Sequence, residues 1–131
     1  MKNNVYVASS LNNKDRVRQL ISQLTDLGVN ITYDWTLHGF VDDEDKLMNI
    51  ALSEAKGVDD ADCVLMVTPA RKGSHFEFGY AYAKNIPIVI LIEEEDYVPV
   101  SFHYLTNEDD PIVFKTYDSS EAIKKVIELS S

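Results

Sequence analysis

Two continuous apolar runs constrain this chain more than any other feature. Cys63-Val64-Leu65-Met66-Val67 and Ile86-Pro87-Ile88-Val89-Ile90-Leu91-Ile92 are of strand length, and neither alternates with polar residues. A strand that is apolar on both faces is buried on both, which happens where helices cover the two sides of a parallel sheet. Parallel neighbours need long crossover connections, and the rest of the sequence supplies amphipathic ones. Val5 to Ala8 predicts a first strand and Asp15 to Leu27 a helix, with Val17, Leu20, Ile21, Leu24 and Leu27 on one face and Gly28 as its stop. Val29 to Tyr33 predicts a second strand. Asp42 or Asp43 then caps a helix with Leu47, Ile50, Ala51 and Ala55 on its apolar face, ending near Gly57.

A third helix is expected from Ser74 to about Lys84, and a short fifth strand over Ile112 to Phe114. A last helix follows Asp118 or Ser119 through Ile123, Val126, Ile127 and Leu129. Strands and helices in this alternation predict a flavodoxin-like, doubly wound α/β sheet of about five parallel strands with helices on both faces. The length of 131 residues fits one domain spanning 1–131. Ligands of such sheets bind beyond the carboxyl ends of the strands, where the strand order reverses. The segments to inspect are therefore Ser9 to Lys14, Asp34 to Asp42, Thr68 to Glu77 and the long stretch Glu93 to Asp110, a lid candidate.

Charge narrows the partners. Twelve Lys and Arg against twenty-two Asp and Glu give a net charge of −10, a field that repels nucleic acid polymers and anionic membrane surfaces but leaves a small anionic ligand possible. Cys63, the single cysteine, sits in an apolar run and reads as a buried structural thiol. Met1-Lys2-Asn3-Asn4 does not lead into the apolar core of a secretion signal, and no stretch is apolar enough to span a membrane, so a cytoplasmic location is expected.

Elimination narrows the chemistry. The turn after the first strand, Ala8-Ser9-Ser10-Leu11-Asn12-Asn13, lacks the glycines of a dinucleotide fingerprint, and there is no P-loop. Ser9-Ser10 and Thr68-Pro69 stand where a receiver domain needs its acidic residues. His38, His75 and His103 show no metal-ligand spacing, and no nucleophile elbow is present. Carboxylates remain. Arg71-Lys72-Gly73-Ser74-His75-Phe76-Glu77-Phe78-Gly79 joins a central strand to its helix, at the expected ligand edge. Ser74 and Glu77 have capping-box spacing. Alternatively, Glu77 lies in the first turn, where the helix dipole keeps it ionised as a carboxylate nucleophile. Gly79, costly inside a helix, points to a close approach of ligand or backbone. Glycosyl transfer needs a second carboxyl group, for which Glu54, Asp59, Asp60 and Asp62 are candidates.

Three segments carry a family resemblance: Val5-Tyr6-Val7-Ala8-Ser9-Ser10, the stretch from Glu54 to Val67, and Gly73-Ser74-His75-Phe76-Glu77-Phe78-Gly79-Tyr80-Ala81. From Val5 to about Ile92 the chain resembles the nucleoside 2-deoxyribosyltransferase family and its relatives, the 2′-deoxynucleoside 5′-monophosphate N-glycosidases. The resemblance implies that Glu77 attacks the anomeric carbon and that Glu54 stands at the family's catalytic aspartate, one methylene longer, with Asp59 as a possible substitute. Arg71, six positions before Glu77, departs from the aspartate of the transferases and the serine of the hydrolases, and points to a 5′-phosphate. The substrate side is expected at Tyr6, Ser9 and Ser10, at Asp34 and Trp35, and at Arg71, Gly73, Ser74 and His75. Trp35 either stacks on a base or fills the core, and His75 either touches substrate or neighbours the cap. His38 and His103 receive no role.

The implied activity is cleavage or transfer of an N-glycosidic bond of a nucleoside or nucleoside 5′-monophosphate, without a metal or organic cofactor, in a homodimer or larger homo-oligomer. Two alternatives stand beside it: hydrolysis of NAD or a related dinucleotide, and a non-catalytic nucleotide-binding module.

Overall fold

The computed structural model describes residues 3–39, 41–69, 72–93 and 113–131. Within them five parallel strands, β1 Asn4–Ala8, β2 Asn30–Ile31, β3 Cys63–Val67, β4 Ile88–Leu91 and β5 Val113–Thr116, form one sheet in the order β2-β1-β3-β4-β5. Four helices accompany it: α1 Lys14–Asp26, α2 Glu44–Asp59, α3 Lys72–Ala83 and α4 Ser119–Ser130. The doubly wound α/β expectation holds. Right-handed crossovers fix the layering. The step from β1 to β2 runs one way along the sheet and the later steps run the other, so α1 covers one face and α2 and α3 the other. Contact of α4 with β1, β3 and β4 adds it to the sheet's cover.

The two apolar runs lie at the centre. Every residue of β3 and β4 is buried, as are Val5 to Ala8 of β1. Val17, Leu20 and Leu24 of α1 and Ala122 and Val126 of α4 also join the core, as do Val58, Phe78 and Ala81 of α2 and α3. Asn3 clasps the end of α4: its backbone N–H donates to the Ser130 carbonyl at 2.9 Å, and its amide donates to the Ile127 carbonyl at 3.1 Å and to Ser130 Oγ at 2.9 Å.

Several expected boundaries move. The second strand shortens to Asn30–Ile31; Thr32 just beyond it still donates its backbone N–H to the Val5 carbonyl at 3.0 Å, and its hydroxyl donates to the Gly57 carbonyl at 2.7 Å. The fifth strand begins at Val113, and Ile112 lies outside the described residues. The apolar face of α2 does not reach the core as its periodicity implies. Leu47, Ile50 and Ala51 line a cavity, while Met48 and Leu52 are 57% and 63% exposed.

α3 starts two residues before Ser74, so the Ser74–Glu77 capping box is not formed. Ser74 is inside the first turn with its hydroxyl unpartnered among the described residues, and Glu77 lies in the second turn. At Gly79 an added methyl group would meet nothing within 4 Å among the described residues, so the close approach of another backbone does not explain it. The close approach is at Gly57, where an added Cβ would lie 2.9 Å from both Tyr33 Cβ and Tyr6 Cδ1.

Candidate active site

The strand order reverses between β1 and β3, and a cavity of about 760 Å³ opens beyond their carboxyl ends. Its walls come from the β1 turn, the segment after β2, the outer face of α2 and the first two turns of α3. Ser9, Ser10, Trp35, Glu54, Gly73, Ser74, His75 and Glu77 all line it, together with Leu11, His38, Leu47, Ile50 and Ala51. Eight residues from four separate segments, each expected from the sequence at the substrate or catalytic side, thus share one space.

Glu77 is 4% exposed and accepts a hydrogen bond from the hydroxyl of Tyr6, which is wholly buried on β1. Tyr6 therefore stands behind Glu77 in the sheet and is not part of the cavity wall. Burial pushes the Glu77 carboxyl up to about 8; the Tyr6 hydrogen bond works against this, and the nearby charge of Glu54 adds to it. Glu77 lies in the second turn of α3 and not the first, and burial there works against the helix terminus that was expected to keep its carboxylate ionised. Burial and the proximity of Glu77 likewise hold the Tyr6 hydroxyl far above its ordinary range.

Glu54 is partly buried on α2. Burial raises its carboxyl above the usual range, and the charge of His38 lowers it. The charge of Glu54 acts on Glu77, and the two residues line the same cavity. The other acids near α2 are committed elsewhere. Asp59 pairs with Lys84 and accepts from the Tyr80 hydroxyl at 2.9 Å, which holds its carboxyl below the ordinary range. Asp60 pairs with Lys56 at 2.5 Å, and Asp62 accepts from the Asn4 backbone at 3.1 Å. None of the three lines the cavity.

Asp34 and Trp35 part company. Asp34 accepts from the backbone N–H and the hydroxyl of Thr36, capping the turn Trp35–Leu37, and does not line the cavity. Arg18 braces the same turn, donating to the Thr36 carbonyl at 2.7 Å. Trp35 is 4% exposed and donates its indole N–H to the Val7 carbonyl at 2.7 Å, yet its ring forms part of the cavity wall. The core and ligand readings of Trp35 are compatible, because the N–H is spent on β1 while the ring borders the space. Arg71 lies outside the described residues, as does His103 with nearly all of Glu93 to Asp110. Glu93 itself pairs with Arg16 at 2.7 Å.

One pattern was not visible in the sequence. Among the described residues, three buried side-chain polar atoms lack a hydrogen-bond partner: Ser10 Oγ, Ser74 Oγ and His38 Nε2. All three residues line this cavity. Folded proteins rarely leave such groups unsatisfied, and a cluster of them at one cavity is unused capacity for a ligand. Sequence reading also missed His38. Its signal was position alone, three residues past the tryptophan at the carboxyl end of β2. Among the described residues no cluster of three His, Cys, Asp or Glu is arranged to hold a metal ion.

The fold and this pair of coupled carboxyls define a parallel α/β protein with a carboxylate site at the switch point of its sheet. The chain belongs to the nucleoside 2-deoxyribosyltransferase family, whose model matches residues 5–126. No curated protein matches the sequence. Among solved structures it is similar to the CMP N-glycosidase BcmB of Clostridium botulinum, with a TM-score of 0.59 and 20% identity over 94% of this chain and 96% of that one. At that identity the likeness is one of fold.

Proposed function

We propose that this protein cleaves or transfers the N-glycosidic bond of a nucleoside or nucleoside 5′-monophosphate. The observation that carries the reading is that Glu77 and Glu54, from neighbouring helices, line the same cavity in which the unpartnered polar groups cluster. In the first step Glu77, reactive in its ionised form, attacks C1′ of the sugar while Glu54, in its protonated form, gives its proton to the departing base. In the second, Glu54 takes a proton from water, whose oxygen attacks C1′ and frees Glu77. The Trp35 ring and Leu47, Ile50 and Ala51 make an apolar wall suited to a base. Ser10 and Ser74 offer hydroxyls for the sugar or a 5′-phosphate, near the start of α3. The proposed assembly is a homodimer or larger, with the exposed apolar residues of α2 in the contact. No cofactor takes part in either step.

The test is chromatography of free base from ribo- and deoxyribonucleosides, their 5′-monophosphates and NAD, run beside Glu77→Gln. Release from a nucleoside or its monophosphate, lost by at least about a hundredfold in the variant, is the expected result. Release from NAD alone would move the assignment to dinucleotide hydrolysis. A panel member that raises the melting temperature without releasing base would make the cavity a binding site only.

A further inference from the structure

Trp35 and His38 border the cavity from the segment between β2 and α2, and that segment is gripped from outside the cavity. The carboxylate of Asp34 accepts from the backbone N–H of Thr36 at 2.9 Å and from its hydroxyl, closing the turn Trp35–Leu37. Thr36 is wholly buried. Arg18 of α1 reaches it twice: Nη2 donates to the Thr36 carbonyl at 2.7 Å, and Nε donates to the Thr36 hydroxyl oxygen at 3.3 Å. One helical turn earlier, the Lys14 ammonium donates to the His38 carbonyl at 3.1 Å. The two cations share a face of α1 and hold carbonyls two residues apart.

The chain has twenty-two acidic side chains, yet among the described residues neither Lys14 nor Arg18 forms an ion pair, while Arg16 between them pairs with Glu93. A charged donor placed on a backbone carbonyl fixes the path of the chain itself. The segment beyond the turn has little else to hold it: Leu37 is 76% exposed, and an added Cβ at the exposed Gly39 would meet nothing within 4 Å among the described residues. The Trp35 indole has a single donor, which goes to the Val7 carbonyl. One such bond fixes an edge of the ring but not its plane. The plane follows from the backbone of the turn, which Arg18 and Asp34 hold.

We propose that Arg18, supported by Lys14, is a positioning residue for the Trp35 face of the cavity: from outside the site it fixes the turn that sets the plane of the ring against which the substrate's base lies. Its part in turnover rests on the glycosidic reading; its hold on Trp35 does not. A base lying on that ring keeps the contact both before and during cleavage, so the brace serves binding and leaves the bond-breaking to the carboxyls.

Trp35 is the only tryptophan of the chain, so its fluorescence reports on this ring alone. The experiment compares the protein with Arg18→Met, which keeps the aliphatic stem without the donors, and with Arg18→Lys, which keeps a charged donor. In Arg18→Met, held well below its melting temperature, acrylamide quenching of Trp35 is expected to rise by about twofold or more, with emission at longer wavelength. On any substrate that turns over, KM is expected to rise by about fivefold while kcat stays within about twofold. Arg18→Lys should restore most of both, and Arg18→Gln replaces Arg18→Met if that variant does not fold. Unchanged quenching and emission in a folded variant overturn the proposal, and so does an unchanged KM where a substrate turns over. A changed Trp35 signal in a protein that releases no base from any nucleoside, monophosphate or NAD supports the brace and counts against the glycosidic reading instead.

Discussion

At the scale of single residues the site is governed by burial. Glu77 sits at about 8 because its pocket excludes water, against an ordinary value of 4.5. A carboxyl raised in the folded state stabilises the fold below its unfolded value, and that contribution is lost as pH rises toward the folded one. Glu77→Gln removes the penalty. Its melting temperature should exceed that of the unchanged protein at pH 8, by an amount equivalent to roughly 4 kcal/mol, and the gap should close toward pH 4.5, as a pH series of thermal melts would check. Tyr6→Phe has the opposite electrostatic sense. Loss of the hydrogen bond that lowers Glu77 should move the rising limb of kcat/KM to higher pH and reduce the rate at pH 7 by about tenfold or more, read from a pH–rate profile. This hold on Glu77 was not legible in the sequence, where Tyr6 is one of seven tyrosines and was expected on the substrate side. The partnership spans 71 positions and exists only once β1 and α3 are adjacent.

At the scale of elements, the parts that were legible are those whose pattern is local. β3 and β4 announced themselves by unbroken apolarity, and α1 by its stripe. The start of α3 was misread because Ser74 and Glu77 have the spacing of a cap, while their burial depends on what lies across the cavity. α2 was misread in a complementary way: its apolar face serves the cavity and not the core. What seats α2 is Gly57, the only described glycine that packs against other side chains. With Tyr33 Cβ and the Tyr6 ring both 2.9 Å from an added methyl, Gly57→Ala must push α2 outward or displace Tyr6. The expected cost is about 1–3 kcal/mol in chemical denaturation, with a loss of base release greater than that stability change explains, because Tyr6 carries Glu77 with it. The Asp59–Lys84–Tyr80 cluster ties α2 to α3 on the outside; being exposed, it sets their spacing more than their stability.

At the scale of the whole molecule, the sheet order puts the cavity at the reversal between β1 and β3; the alternation of elements was enough to expect a site at the carboxyl edge, while which strands flank it came only with the sheet order. The surface carries exposed apolar side chains despite the net charge of −10: Leu11 and Leu47, which line the cavity, and Met48, Leu52 and Phe76 of α2 and α3 are each between 45% and 63% exposed. An apolar margin of this kind fits burial against a second copy. On the proposed homo-oligomeric assembly, Leu52→Glu should shift the molecule toward monomer in analytical ultracentrifugation, with little change in the far-ultraviolet circular dichroism. No helix among the described residues is long and apolar enough to cross a membrane.

The clasp between Asn3 and Ser130 sets a direction for anything attached to this fold. Both lie at the amino edge of the sheet, with the length of β1 between them and the cavity. A tag, a tether to a sensor surface or a neighbouring domain joined at either point would depart from the pole opposite the site. Immobilised through either end, the protein presents its cavity outward, and two such molecules could meet mouth to mouth without their attachments colliding.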